Sequence, residues 1–442
     1  MGNEELSSKV LKDLLFLKIF QTFRIAIQPS KLIIAFLTVA IICLVGWLMD
    51  FSNTVVTMPS YTHESSTELQ VYITRPHDVP SFIERYKEKG ERRGVFSTLW
   101  NFSAAKFHNS LKSLFAFDIL TLFSNITDCL KALVWAFGYH FVYSIIFFAI
   151  TLTVVSITGG SICRITALQF ARGEKAGLTE AMSFSLKRFL SFFAAPLAPV
   201  CIITAIGLFI SCLGLICNIP VIGELITAIF IPLALIAGAL IATILIGAVA
   251  GFNLMFPAVA YDGSDCFDAI SRSFSYVYAK PWRMGFYTTI AAIYGAICYF
   301  FVRFFAFLLL FATRQFMELA VWVDNSSKEI NKLTAIWPKP DFMNLVGSSD
   351  LAVASRSESL AAFLVHLFLL AVLGLIVSFI ISFYFSANTI IYSLMRKMVD
   401  NTALKNVYTN LGNFKINSTP ANSEKSQTQP KSDTNTDSPD QE

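Results

Sequence analysis

The sequence predicts an all-α protein, a polytopic transmembrane helix bundle of about six spans. Three observations carry that expectation. Apolar residues make up 55% of the chain and charged residues only 14%, against roughly 25% charged in ordinary soluble domains. Six apolar segments reach or approach the roughly 20 residues that a helix needs to cross about 30 Å of hydrocarbon. The basic residues fall in alternate connecting segments, as the positive-inside rule requires of a multi-pass protein. A soluble chain with 42 phenylalanines and a mean hydropathy of +0.60 would expose large adhesive patches, so lipid is its natural solvent.

Residues 1–31 are expected to form a cytoplasmic interfacial amphipathic helix. Leu6–Ile27 sets Val10, Leu14, Leu17 and Phe20 among Lys9, Lys12 and Lys18, and Pro29 ends the segment. No small-residue cleavage site follows the first apolar run, so Leu32–Met49 is expected to stay in the membrane as a signal anchor and first span. Residues 50–131 form an outer, periplasmic and mainly helical region. Within it Glu68–Thr74 (ELQVYIT) alternates like a short strand, while Val79–Lys89 and Val95–Leu130 have helical spacing.

Residues 132–311 hold a four-span core of two helical hairpins, with spans at Leu133–Ile157, Pro196–Cys217, Leu225–Ala250 and Gly285–Leu310. Residues 312–359 form a second outer loop, although the apolar stretch Phe304–Val323 leaves room for an extra surface helix. The last span, Leu360–Phe385, lies in 360–391, and 392–442 is a cytoplasmic tail, disordered from about 417 by its Ser, Thr, Asn, Pro and Gln content.

Orientation follows from the basic residues. Lys9, Lys12, Lys18, Arg24 and Lys31 precede the first span; Arg164, Arg172, Lys175, Lys187 and Arg188 follow the second; Arg272, Lys280 and Arg283 follow the fourth; Arg396 and Lys397 follow the sixth. The turn Asn218–Glu224 has no positive charge. Together they place both termini in the cytoplasm.

One short pattern recurs. Glu180-Ala181-Met182-Ser183-Phe184-Ser185, between the second and third spans, matches Asp268-Ala269-Ile270-Ser271-Arg272-Ser273, between the fourth and fifth. Each follows a polar turn and precedes a proline, Pro196 or Pro281. Two accounts fit: parallel hairpin repeats, as in some transporters, or a common device in which a short surface helix precedes re-entry.

Ionisable groups inside lipid are default site candidates because they are costly to bury. His140, Arg303 and His366 fall towards the outer leaflet, near Glu224 of the outer turn. They read either as a cationic outer cavity or, more simply, as an interfacial belt in which His140 joins Trp135, Tyr139 and Tyr143 and Arg303 snorkels outward. Asp262, Asp265 and Asp268, three apart in DGSDCFD, suggest a metal loop. The stronger account is an Asp262-Gly263 turn with Asp265 as N-cap of a helix. Asn253 and Asn388, near inner span ends, read as interhelical hydrogen-bond partners, and the steps Ala234, Gly238, Ala242 as close helix packing.

The eight cysteines form no C-x-x-C pair and read as small buried hydrophobes. No phosphate loop, zinc helix or nucleophile elbow occurs, so neither a catalytic residue, a metal nor a cofactor is expected. The net charge of +4 is too small to suggest nucleic acid. The lipid bilayer is the expected partner, and residues 50–131 and the C-terminal tail are the surfaces offered to protein partners.

The wording of FRIAIQPSKLIIAFL, GGSICRITALQFARGEKAGLTEA, GLICNIPVIGELI, GAVAGFNLMFPAVAYDGSDCFDAISRSFSYVYAKPWRMGFY and IIYSLMRKMVDNTALKNVY resembles multi-pass membrane proteins of planctomycete-type bacteria. That resemblance covers roughly residues 10–410 and implies no particular activity. The hairpin pattern is more distantly similar to the membrane domain of bacterial glycerophosphodiester phosphodiesterases. The catalytic barrel of those enzymes is absent, so this likeness implies a membrane-embedded, non-catalytic role. The expected function is transport or service as a membrane-embedded accessory subunit. A scaffold recruiting partners through the outer region and tail is the alternative, and an intramembrane lipid-acting enzyme the remotest.

The topology has a direct check. In a cysteine-free background, a cysteine replacing Lys175 reacts with a membrane-impermeant maleimide only from the cytoplasmic face, and one replacing Glu224 only from the opposite face. Labelling of both from one face overturns the arrangement.

Overall fold

The computed structural model describes residues 14–52, 54–58, 66–88, 90–220, 222–320, 332–342, 344–347 and 356–408. All of them belong to one compact unit, Met1–Tyr408; Thr409–Glu442 make up a second, so the expected disordered tail lies outside the described residues.

The expected all-α bundle is what forms. Residues Leu14–Gln21 wind as a 3-10 turn into a short helix α1 (Thr22–Ala26), and α2 (Pro29–Asp50) follows with its proline in the first turn. A two-stranded antiparallel ribbon, β1 (Val55–Thr57) with β2 (Glu91–Arg93), encloses α3 (Glu68–Thr74) and α4 (Val79–Tyr86). The hairpin α5 (Val95–Phe115) and α6 (Ile119–Tyr139) comes next. Then come α7 (Phe141–Arg172), α8 (Leu178–Lys187), α9 (Phe189–Cys217), α10 (Ile222–Asp262), α11 (Cys266–Ala279) and α12 (Pro281–Ala320). The short α13 (Lys332–Ile336) and the long α14 (Arg356–Val399) complete the bundle.

Four expectations are corrected. The segment Glu68–Thr74 is helical, because Thr67 and Gln70 form a capping box that outweighs a few alternating residues. The apolar run Leu133–Ile157 is interrupted: His140 leaves helical geometry at φ −126° and ψ 50°, so α6 ends there and the span proper is α7. Hydropathy is blind to this break because apolar residues continue on both sides. The stretch Phe304–Ala320 is no separate surface helix but the straight continuation of α12. Residues 14–27 do not lie free on lipid. They dock on α12 and α14, where Ile19 and Ala26 are fully buried, Tyr294 donates to the Phe20 carbonyl and Ser382 to that of Ala26.

Among the described residues seven helices are long and apolar enough to cross a membrane: α2, α6, α7, α9, α10, α12 and α14. Six of them alternate in direction between two ends of the bundle. Helix α6 is the exception. The carboxylate of Asp50, at the end of α2, accepts from the Phe96 and Ser97 N–H groups at 2.8 Å and from the Tyr143 hydroxyl at 3.1 Å. The start of α5 and the start of α7 therefore meet at one point, and the α5–α6 hairpin enters and leaves at the same end. With 41 residues, α10 is about 60 Å long, twice the hydrocarbon thickness. Its first half exposes Leu225, Ile229, Leu233, Ile236 and Leu240, whereas Leu254–Tyr261 is buried in protein.

Protein packing concentrates at the end opposite Asp50. There α7 is buried all round from Thr158 to Leu168, which a central helix tolerates only with its polar groups satisfied, as Ser161 is by Ser185 and Thr166 by Ser386. The recurring pattern does the same work in both hairpins. Ala181 and Ser185 on α8, and Ala269 and Ser273 on α11, are fully buried. A Cβ at Gly160 would lie 2.9 Å from Ser185 Oγ, and one at Gly251 3.4 Å from Ser273 Cβ. Each short helix thus seats its second serine on a glycine of the preceding span.

Asp50 acts as an N-cap for α5 supplied by a distant helix. A Cβ on Gly94 would sit 1.9 Å from its carboxyl carbon, and Gly94 has an ordinary φ of −74°, so space rather than backbone freedom requires glycine. Asp50→Ala and Gly94→Ala are each expected to cost about 2–3 kcal/mol, from lost charge-assisted hydrogen bonds. Because both remove one cap, the double variant should match the worse single one in detergent unfolding; full additivity would refute the shared cap.

Candidate functional site

A groove of about 320 Å³ runs along the bundle between α12 and α14. Ala291, Ala292, Gly295 and Ala296 form one wall, small residues that keep the two helices' side chains from filling the gap. Phe379, Phe383, Tyr384 and Asn388 form the other. Phe107, Leu111 and Leu114 of α5 and Leu122 of α6 roof it, and Asn253 of α10 closes the far corner. From Phe379 to Ile391 the lining covers about 18 Å of helix. Among the described residues no charged side chain lines it.

The antiparallel register is set by Phe383, whose ring lies 2.7 Å from where a Cβ of Gly295 would be. It brings Thr288 and Asn388 to one end of the groove. Tyr384 donates its hydroxyl to Asn253 Oδ1, which leaves the Asn253 amide hydrogens free to point elsewhere. Asn388 is only 6% exposed. Its amide makes no hydrogen bond among the described residues and lines the groove. Thr288 Oγ1 is likewise buried without a partner.

The other end is closed by a polar cluster. Tyr299, which lines the groove, accepts from Arg303 Nη1 at 2.7 Å. Arg303 Nη1 also donates to His108 Nε2 at 3.0 Å, and its Nε donates to the Phe342 carbonyl at 3.0 Å. His108 Nδ1 lies 2.7 Å from the Ala104 carbonyl. A guanidinium only donates, and a carbonyl only accepts, so the His108 proton sits on Nδ1 and Nε2 accepts. Arg303 does not snorkel outward; it is 4% exposed, folded under α5 and the segment before α14.

The remaining sequence candidates are dispersed. His140 Nε2 stands 3.7 Å from Glu68 Oε1 and its ring packs edge-on against Trp135, 5.0 Å away. Glu68 is itself buried, accepting from Trp135 Nε1 at 3.1 Å. Glu224 is exposed in the first turn of α10, and His366 is exposed on α14. Thus His140 and Arg303 belong to different polar clusters.

The aspartates of DGSDCFD divide three ways. Asp265 caps α11, accepting from the Asp268 N–H at 3.1 Å. Asp268 holds Arg272 Nε at 3.0 Å. Asp262 lies between Arg272 at 3.3 Å and Arg396 at 3.2 Å and accepts from Tyr392. Burial works to lower the Arg272 pKa, but its hydrogen bonds to Asp268 and the charge of Asp262 carry it above the ordinary arginine value. Burial and a hydrogen bond to Asp400 push the Tyr276 hydroxyl up. Among the described residues no three His, Cys, Asp or Glu side chains converge to hold a metal ion. All eight cysteines are free, and Cys201, Cys212 and Cys217 are exposed rather than buried, on the apolar surface of α9.

The sequence does not mark His108, Thr288, Tyr299 or Tyr384 as site residues; His108 lies on an amphipathic outer helix with nothing to indicate its partner 195 positions away. Asn253 and Asn388 were legible as polar residues near span ends, but only Asn253 takes up the expected interhelical bond.

The chain is a multi-pass α-helical membrane protein. It matches no protein-family model, no curated protein and no solved structure.

The His108 cluster is testable by stability. His108→Phe removes the acceptor facing Arg303 and Tyr299 and should lower stability by about 1–3 kcal/mol. His108→Gln, which can still accept, should recover part of that in detergent unfolding. Equal losses in the two variants would dismiss the hydrogen-bond account.

Proposed function

We propose that this protein binds a membrane-soluble organic molecule in the groove between α12 and α14, and acts in transport or as a membrane-embedded accessory subunit. The observation that carries this is an apolar groove with buried, unpartnered polar groups at one end. Such a combination of apolar walls and a few convergent polar atoms characterises small-molecule sites. Its lining offers amides and hydroxyls but no acid–base pair, which supports a binding role over catalysis and an apolar cargo over an ion. The basic residues gathered at the α7, α10 and α14 ends support a cytoplasmic location for that end in a bacterial inner membrane.

Ala292 lines the groove and is exposed, so Ala292→Phe fills the space without displacing core side chains. Native mass spectrometry of the full-length chain extracted from membranes should show a co-purifying small molecule on the unmodified protein. Ala292→Phe should lose it with little change in unfolding temperature. Equal retention by both, or no bound species on either, would overturn the assignment.

A further inference from the structure

The groove's two ends differ in a way that defines its ligand, granted that the groove is a binding site. Many threonines on the apolar helices satisfy their hydroxyls on the backbone one turn back: Thr153, Thr158, Thr166, Thr204, Thr243, Thr313 and Thr389 each donate to the carbonyl four residues earlier. Thr288 does not, and its hydroxyl is left unpartnered where it lines the groove. Opposite it, Asn388 holds an unpaired amide in a residue more than nine-tenths buried. The amide hydrogens of Asn253 complete the set, since its oxygen is taken by Tyr384. Two donors-and-acceptors and one further donor therefore converge on one end. Beyond Tyr384 the walls are mostly apolar, formed by Phe383, Phe379, Ile380 and Leu111, with Ser110 of α5 and then Tyr299 as the polar residues on that side.

We propose that the groove takes a single-chain amphiphile whose uncharged hydroxyl- or carbonyl-bearing head sits at Asn388, Thr288 and Asn253, with its chain running under the α5–α6 hairpin. An ionised head is disfavoured because no charged side chain among the described lining residues would balance it. A volume of about 320 Å³ lies at the small end of ligand pockets, which fits one chain and not the two of a phospholipid. The amide and hydroxyls discriminate through pairing: a head that satisfies them replaces unmade hydrogen bonds, and a bare alkane leaves them unmade.

The test uses three probes of equal chain length, tetradecanol, tetradecanoate and tetradecane, incubated with the full-length protein and read by native mass spectrometry. Tetradecanol should bind at least about tenfold more tightly than either control, the worth of one to two hydrogen bonds. Asn388→Leu should erase that preference while keeping tetradecane binding; Thr288→Val serves the same purpose if Asn388→Leu does not fold. Equal binding of alcohol and alkane would overturn the head-group assignment and leave the groove standing. Preference for tetradecanoate would overturn its neutrality. Failure of all three probes, with no difference between the unmodified protein and Ala292→Phe, would remove the binding site itself.

Discussion

A guanidinium is buried at the end of this bundle opposite Asp50, and much of the surrounding architecture follows from satisfying it. Arg164 is 2% exposed on α7. Its Nη1 donates to the Ala260 carbonyl at 3.0 Å, where α10 nears its end, and Nη2 to the Tyr408 carbonyl at 2.7 Å. Phe184 of α8 stacks on it with its ring centre 4.5 Å away. A carbonyl near the end of a helix is free to accept, and a cation placed there also meets the negative end of the helix dipole. One side chain thereby fixes α7, α8, α10 and the segment that returns after α14. That segment is tied down repeatedly: Arg172 donates to the Val407 carbonyl, Arg396 to that of Asn406, and Tyr408 N–H to that of Tyr261. Gly263 has a positive φ, and a Cβ there would lie 2.5 Å from the Tyr408 ring, so glycine is required on both counts.

The opposite end solves the same problem with the opposite charge. Asp50 and Glu68 are both buried, and both are surrounded by N–H and O–H donors from elements remote in sequence. Carboxylates order the loops and the α5–α6 hairpin, whereas guanidinia order the helix ends across the bundle. Between them lies the apolar middle, where the groove opens beside its unpaired amide and hydroxyl. Buried polar groups elsewhere are mostly satisfied within the chain, as expected of a settled membrane bundle. Asn125, Ser156 and Arg314 also keep buried atoms without a hydrogen-bond partner, but Asn388 and Thr288 line the groove and give it chemical character beyond a packing defect.

Apolar run length, charge asymmetry and the scarcity of charge determined by themselves that this is a multi-pass helical bundle, because a bilayer core admits little besides helices with satisfied backbones. Local chemistry of a few residues was equally legible: the Asp265 cap, the Asp262-Gly263 turn and the paired Ser positions rest on contacts within one turn or one hairpin. The tertiary structure alone decided the break at His140, the straight run of α12 past Arg303, the docking of residues 14–27, and the partners of each buried charge. It also decided the groove, since a space between α12 and α14 depends on how small residues on one helix face aromatic residues on another. Hydropathy reports how much a segment prefers lipid to water. It contains no term for which face meets which neighbour, and that pairing turned Asn388 from an expected interhelical hydrogen-bond partner into a polar group facing a cavity.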